Sequence, residues 1–127
     1  VVYGSRRLKR GNQQYARWTY YAGGIILTIV TNVLFPTAKI TDEPTCYKVF
    51  RRSFLTKIKL QCTGFEFCPE VTAKVLRLKT EIFEVPIRYS PRGIAEGKKI
   101  KWRDGFIHLW ILIKYRFTPI SLFFLED

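Results

Sequence analysis

Two basic loops carry the side chains in this sequence that are best suited to bind a ligand. The first loop follows an alternating strand predicted at residues 81–89, and its glycines leave the backbone free to bend. The second loop follows Gly4. The cations are Arg92, Lys98, Lys99, Lys101 and Arg103 in the first loop, and Arg6, Arg7, Lys9, Arg10 and Arg17 in the second. Such groups are typical of sites that bind phosphate or other anions, although a solvated loop is an alternative interpretation of the second.

Asp42 is the carboxylate best placed to act beside these cations. It lies in the loop before a short strand predicted at residues 46–50, and such a loop reaches the rim of a sheet, where ligands of open α/β sheets bind. A carboxylate there can serve as a general base when cations hold the acceptor. The structural alternative is an ion pair with a neighbouring cation. Asp42 is therefore the candidate catalytic residue, with both interpretations open.

The composition limits the class of protein. The chain has 127 residues, enough for one domain, and 22 Lys and Arg against 10 Asp and Glu give a net charge of +12. Hydrophobic residues reach 47%, which is too high for a disordered basic tail. A folded domain with an anionic partner fits this balance, the partner being nucleic acid, a phosphorylated substrate or an acidic lipid surface.

Motifs for metal binding and nucleophilic catalysis are absent from the sequence. Three cysteines without a CxxC pair and a single His do not make a zinc site, so we predict no metal ligands here. No Ser-His-Asp set, P-loop or dinucleotide fingerprint is present. We interpret Cys46, Cys62 and Cys68 as reduced core residues in a cytosolic setting. Because the sequence lacks Met and starts at Val1, we expect it to be part of a longer or processed chain.

The elements that must position these residues are short strands and longer helices. Strands are predicted at the start of the chain up to Gly4, at 46–50 and at 81–89, and helices at 18–35, for one turn from Ser53, from Pro69 onward and at 106–117. In the strand at 81–89 we expect the face with Phe83 and Val85 to be the better buried, and Pro86 to place the strand at a sheet edge or beside a bulge.

Two of the predicted helices are strongly apolar. The helix at 18–35 is shorter than the ~20 apolar residues that a spanning helix needs, and glycines and threonines dilute it. We therefore predict that it packs on the domain. The helix at 106–117 is apolar nearly all round, which predicts that it is buried or lies in lipid, with Lys114 and Arg116 reaching toward phosphates.

Five short motifs follow one another in a recognisable order. They are GSR, an Arg before an apolar helix, TD before a short strand ending in FRR, GFEF..E, and EVPIRY..R followed by GKKIKWRDG. Their order and spacing resemble the C-terminal half of family-2 glycosyltransferases, and most of all the polyprenyl-phosphate sugar transferases similar to dolichyl-phosphate mannose synthase. The resemblance covers residues 1 to about 117.

The resemblance implies an α/β fold, namely the acceptor-side half of a GT-A, Rossmann-like domain with a mixed sheet, flanking helices and a C-terminal apolar helix at the membrane interface. Residues 1–117 would form the C-terminal part of that domain. Residues 118–127 would be a tail or the start of a membrane-proximal segment. The nucleotide-binding half would precede this sequence, so we expect the chain alone to be inactive.

The resemblance also implies an activity. Such enzymes move a sugar from a nucleotide-sugar donor to a polyprenyl phosphate, dolichyl or undecaprenyl, at the cytoplasmic face of a membrane. They use a divalent metal, Mg or Mn, held by an aspartate-rich motif that would lie mainly outside this sequence. The partners expected are therefore the donor, the lipid phosphate and the membrane surface, and not nucleic acid.

Individual residues match the motifs of that family. Arg6 and Arg17 match basic residues that contact phosphates, and Asp42 matches the acidic residue before the short strand. The matches to the basic acceptor loop, which would close over the lipid phosphate, are Arg92, Lys98 and Lys99. Glu66 and Glu70 match the GFEF..E pattern, where we expect mainly structural work at a helix N-terminus.

Two alternatives stay open. If the acceptor is a sugar hydroxyl, Asp42 becomes the natural general base, whereas a phosphate acceptor needs little help from a base. The chain could also be a basic module that binds a membrane or nucleic acid without catalysis.

Overall fold

The structure is a computed structural model that describes residues 1–9, 11, 18–90 and 101–125. Its strands are β1 (Val2–Ser5), β2 (Lys48–Val49) and β3 (Phe83–Pro86); its helices are α1 (Trp18–Leu34), α2 (Arg52–Leu55), α3 (Phe67–Arg77) and α4 (Trp102–Phe117), followed by a 3-10 helix at Ile120–Phe123. The predicted mixed α/β architecture is confirmed at this level, with a small mixed sheet and flanking helices.

The sheet has three strands in the order β2-β1-β3. β1 is antiparallel to β2 and parallel to β3, with Ser5 opposite Pro86 at the end of the parallel pair. β3 is thus an edge strand among the described residues, as the proline predicts, because Pro86 has no N–H for a further partner. The carboxyl ends of β1 and β3 lie at the same edge of the sheet.

In β3 the side chains of Phe83 and Val85, which were predicted to be the better buried, are the more exposed ones. Phe83 is 55% exposed and Val85 46%, whereas Glu84 is partly buried. The reason is that the Glu84 carboxylate turns inward and accepts hydrogen bonds from the backbone N–H groups of Thr41 and Asp42. Buried backbone donors need such an acceptor, and this need outweighs the burial of two apolar side chains.

Helices α3 and α4 hold the main core. Pro69 and Glu70 in the first turn of α3 favour its start, and Lys74 and Arg77 its end. The core residues are Phe35, Ala38, Ile40, Ala73, Leu76, Ile111, Leu112, Tyr115 and Phe123. Because Phe123 belongs to this core, the segment at 118–125, predicted as a tail or membrane-proximal start, packs on the domain through that residue.

Helix α1 packs on the domain, as expected, but through its polar residues. Thr28 and Thr31 are its buried side chains, and Ile26, Ile29 and Val33 are more than half exposed. The Thr28 hydroxyl explains this orientation: it donates to the Gly24 carbonyl and accepts hydrogen bonds from the Arg7 guanidinium and the Glu43 N–H. The polar stripe is thus fixed by partners, and the apolar stripe faces outward.

Gly4 is the position of β1 where the chain is most closely surrounded. A Cβ at this residue would lie 2.8 Å from Ile87 Cγ2 and 2.9 Å from Tyr47 Cβ, closer than real Cβ contacts come. Its N–H also donates to the Tyr47 carbonyl at 2.7 Å. The glycine of the GSR motif therefore lets two neighbouring segments approach the end of β1.

We predict that Gly4→Ala lowers the free energy of unfolding by about 1–3 kcal/mol, because the added methyl group forces Ile87 and Tyr47 apart. Urea unfolding followed by circular dichroism measures the change. Gly23→Ala is the matched control: a Cβ there meets nothing within 4 Å, and alanine in a helix gains up to about 1 kcal/mol. Equal stability of Gly4→Ala and wild type would contradict the close packing at the end of β1.

Candidate functional site

An ion pair between Arg6 and Asp42 lies at the edge of the sheet where β1 and β3 end. Arg6 Nε donates to Asp42 Oδ2 and Arg6 Nη2 to Oδ1, both at 2.7 Å, and the backbone N–H of Arg6 donates to Oδ2 at 2.9 Å. Asp42 is fully buried and the Arg6 side chain is 18% exposed. Both carboxylate oxygens are therefore engaged by one arginine, in the two-pronged geometry that fixes a guanidinium most firmly.

Glu84 holds the loop that presents Asp42. Its carboxylate accepts hydrogen bonds from the backbone N–H of Thr41, from the Thr41 hydroxyl and from the backbone N–H of Asp42, at distances from 2.9 to 3.2 Å. The Thr41 hydroxyl also lies 2.6 Å from the hydroxyl of Ser5, the last residue of β1. The ends of β1 and β3 and the loop before β2 thus form one hydrogen-bonded unit.

Arg7 joins this unit to helix α1. Its Nη1 donates to the Thr41 carbonyl at 3.0 Å and to the Thr28 hydroxyl at 3.2 Å. A Cβ on Gly24 would lie 2.8 Å from Arg7 Nη2, so the glycine makes room for the guanidinium. Arg6 in turn lies over the ring of Tyr89, 4.9 Å from its centroid, a cation–π distance. The two consecutive arginines therefore both contact the Thr41–Asp42 loop, Arg6 through the Asp42 carboxylate and Arg7 through the Thr41 carbonyl.

Of the residues predicted for the site, the structure brings Arg6 and Asp42 together. Arg17, Arg92, Lys98 and Lys99 lie outside the described residues. The pair between Arg6 and Asp42 is the ion-pair alternative that the sequence left open for Asp42.

The two glutamates of the GFEF..E motif have different surroundings. Glu70 is buried in α3, where it accepts hydrogen bonds from the backbone N–H groups of Gln61 and Cys62 and pairs with Lys74. Burial opposes its charge, but these hydrogen bonds outweigh burial and lower the pKa of Glu70. Glu66, at the N-cap position of α3, makes no side-chain cap and lines a cleft instead.

A buried pair of Glu43 and His108 was missed by the sequence reasoning. His108 Nε2 lies 2.5 Å from Glu43 Oε2, and Glu43 is fully buried. Burial would raise the pKa of Glu43, but attraction to His108 and Lys48 and the hydrogen bond to His108 lower it. Glu43 directly follows Asp42, which was the only local signal, and no spacing rule joins two residues 65 positions apart.

His108 also lines a cleft of about 170 Å³ between the start of α3 and the start of α4. The lining residues are Gly64, Phe65, Glu66, Asp104, Ile107 and His108. An imidazole backed by a buried carboxylate is the arrangement of a general base, because the carboxylate fixes the orientation of the ring. The cleft thus has an acid–base group at its wall.

The divalent metal implied by the resemblance finds no site in the described part of the chain. Within residues 1–9, 11, 18–90 and 101–125, no three His, Cys, Asp or Glu side chains are grouped so that they could hold a metal ion. The carboxylates nearest the rim are engaged in hydrogen bonds, as described above for Asp42 and Glu84.

The chain has a sequence relative among the curated proteins. The chain is 32% identical over 79 residues to an uncharacterized protein of Shigella flexneri, and the match covers 61% of this chain and 48% of that protein. The chain thus spans about half the length of the curated relative it matches. No protein-family model matches the chain. No solved structure matches it either.

Among the helices that the structure describes, none is both long enough and apolar enough to cross a bilayer.

We predict that the protein loses stability as the pH falls below 4.5, the ordinary pKa of a glutamate. The pKa values of Glu43 and Glu70 are lowered in the folded state, so near that pH the unfolded chain binds more protons than the native one. The stabilisation is complete above 4.5 and is lost as the pH passes down through the folded pKa values. Urea unfolding at a series of pH values measures the slope.

Glu43→Gln tests how much Glu43 contributes to the dependence of the free energy of unfolding on pH. The variant should be less stable at neutral pH by roughly 1–3 kcal/mol, because it leaves His108 without its charged partner, and its stability should fall less steeply with acid. Exposed Glu81→Gln controls for the loss of one negative charge. An acid slope unchanged by Glu43→Gln would refute the role of the buried pair.

Proposed function

We propose that this chain is the acceptor-side part of a GT-A glycosyltransferase that moves a sugar from a nucleotide-sugar donor to a polyprenyl phosphate at the cytoplasmic membrane surface. The observation that carries the proposal is the arginine fixed by a buried aspartate at the rim of the sheet. The order of the five sequence motifs supports it as well. The proposal concerns the whole enzyme, of which the donor half is not in this sequence.

The geometry at the rim fits an anionic acceptor. Arg6 is held by Asp42 in one orientation, and the Tyr89 ring lies under its guanidinium. A guanidinium oriented in advance neutralises a phosphate without the entropy cost of ordering a long side chain. Parallel strands β1 and β3 end at this edge. Open α/β sheets bind ligands outside the carboxyl ends of their parallel strands.

A phosphate acceptor also explains why both carboxylate oxygens of Asp42 are engaged by Arg6. A phosphate oxygen is already anionic and attacks the anomeric carbon of the sugar while the nucleoside diphosphate leaves, so no proton has to be removed. Positioning and charge neutralisation are then the main tasks of the protein. We therefore assign Asp42 as a positioning residue that orients Arg6, and Arg6 as a phosphate contact. Arg17, Arg92, Lys98 and Lys99 are proposed as further contacts to the same phosphate.

An apolar ridge on α4 supports a membrane surface as the place of reaction. We define the ridge as Trp102, Phe106 and Trp110, which repeat every four residues and are 71%, 66% and 63% exposed. Cations accompany them: Arg103 lies over the Trp102 ring, and Lys114 and Arg116 are in the last turn. Exposed aromatic residues beside cations are typical of helices that lie in the interface of anionic membranes.

The acceptor class is tested with Asp42→Asn and Arg6→Lys in an enzyme that joins this chain to a donor-binding half. For polyprenyl phosphate, Asp42→Asn should reduce turnover by only about tenfold, and Arg6→Lys should raise the KM for the lipid by about the same factor, because each loosens one phosphate contact. Transfer of radiolabelled sugar to the lipid measures both.

Exposed Arg51→Lys is the matched control for Arg6→Lys and should leave the KM unchanged. Thermal unfolding of each variant separates loss of fold from loss of contact. A drop of about 10²–10⁴ in turnover for correctly folded Asp42→Asn would instead mark Asp42 as a general base and contradict the phosphate assignment.

A second candidate function has one observation in its favour. The Glu43 and His108 pair at the wall of the cleft would suit a sugar hydroxyl as acceptor, since a hydroxyl needs a base. In that case His108→Gln would reduce turnover by about 10²–10⁴ while the KM for the donor stays unchanged. Under the phosphate proposal His108→Gln affects stability and leaves turnover within about tenfold of wild type.

The apolar ridge is tested by flotation of the chain with vesicles. Replacing Trp102, Phe106 and Trp110 with alanine should weaken binding to anionic vesicles by about tenfold or more, because the apolar contact area is lost. Replacing exposed Tyr47 and Val49 with alanine is the control and should have little effect. Wild-type binding by the ridge variant would contradict the assigned surface.

A further inference from the structure

We propose that Cys46 and Cys68 form a peroxide-reactive thiol pair that closes into an intramolecular disulfide. The sequence interpretation placed all three cysteines in the core as reduced residues. The burial of Cys68 agrees with that interpretation, but Cys46 is exposed and Cys62 is only partly buried. An exposed thiol with a buried thiol behind it is the arrangement of a reactive cysteine with a resolving partner.

The backbone brings the two residues together. Cys68 is the second residue of α3, and its Sγ lies 3.8 Å from the carbonyl oxygen of Thr45, the residue joined to Cys46. Because Cys46 directly follows Thr45 in the chain, its backbone lies beside the Cys68 thiol. A disulfide needs the sulfur atoms about 2 Å apart, so the exposed side chain of Cys46 must turn toward Cys68 for the bond to form.

The surroundings divide the charge unequally between the two sulfurs. The hydrogen bond from Cys68, with the nearby cations of Lys48 and Arg6, lowers the pKa of Cys46 to about 6 against the opposing effect of burial. The same hydrogen bond and burial raise the pKa of Cys68. At neutral pH the lowered pKa favours the thiolate of Cys46 while Cys68 stays a thiol, and the thiolate is the nucleophile.

The reaction balances with hydrogen peroxide as the oxidant. The Cys46 thiolate attacks one peroxide oxygen, the O–O bond breaks, and hydroxide leaves and takes up a proton as water, which leaves Cys46 as a sulfenic acid. The Cys68 sulfur then attacks the Cys46 sulfur, and the S–O bond breaks. The Cys68 proton leaves with the displaced hydroxide as a second water. Peroxide is reduced, and two thiols become one disulfide.

Cys62 provides a control within the same chain. Burial and the nearby carboxylate of Glu70 raise the pKa of Cys62 to about 11. It is therefore a neutral thiol at physiological pH and reacts slowly. A difference between Cys46 and Cys62 in the same sample cannot come from a difference in folding.

The disulfide would tie the loop between Asp42 and β2 to the start of α3. The Cys46 segment is joined to the rim through Tyr47, whose carbonyl accepts the Gly4 N–H. The thiol chemistry does not depend on the proposed glycosyl transfer, so the failure of either proposal leaves the other standing.

The test is treatment of the reduced 127-residue chain with hydrogen peroxide, followed by intact mass and peptide mapping. We expect the loss of two hydrogen atoms and one peptide that links Cys46 to Cys68, unchanged in Cys62→Ser and absent in Cys46→Ser and Cys68→Ser. In Cys68→Ser, the sulfenic acid of Cys46 should persist and react with dimedone.

The pH profile of alkylation gives a second readout on the wild-type protein, which needs no variant to fold. Labelling of Cys46 by iodoacetamide should rise through a midpoint near pH 6, and labelling of Cys62 should lag far behind it at neutral pH. Equal labelling rates for Cys46 and Cys62, a disulfide that includes Cys62, or disulfide-linked dimers as the sole product would each overturn the proposal.

Discussion

The ion pair between Arg6 and Asp42 is the interaction on which the rim of the sheet depends. Asp42 is fully buried, and a buried carboxylate without its partner costs several kcal/mol, so the arginine, the aspartate and the loop that carries the aspartate are fixed together. Glu84 extends the constraint to β3, because its carboxylate accepts hydrogen bonds from backbone N–H groups of that loop. Arg7 extends it to α1 through the Thr28 hydroxyl.

This constraint explains why apolar side chains face outward elsewhere. Helix α1 must turn Thr28 toward Arg7 and Glu43, and β3 must turn Glu84 toward the loop. The apolar residues on the opposite faces, among them Ile29 and Phe83, are then left exposed. On α4, the buried face is taken by residues such as His108 and Leu112, which leaves the tryptophans outside. The hydrogen bonds near the rim and the packing of the α3–α4 core together decide which apolar side chains remain exposed.

The sequence predicted the elements better than their orientation. Periodicity and Pro69 located α3, and Pro86 correctly placed β3 at the edge of the sheet. The prediction of which face of β3 is buried was wrong. It rested on the alternation of apolar residues, which does not show that the Glu84 carboxylate is needed by the distant loop at Thr41 and Asp42. The GSR and TD motifs pointed to Arg6 and Asp42, and the structure brings these two residues together as an ion pair. The pair of Glu43 and His108 depends on tertiary contact alone, so no local pattern could reveal it.

The most direct test of the proposed activity is to determine which acceptor is used by an enzyme that joins this chain to a donor-binding half. It would be incubated with a panel of nucleotide sugars, a divalent metal, and either polyprenyl phosphate or the corresponding polyprenol. We predict a lipid-linked sugar with polyprenyl phosphate and none with the polyprenol, because the proposed role of Arg6 is to contact the phosphate. Equal transfer to the polyprenol, or transfer only to a sugar hydroxyl, would contradict it.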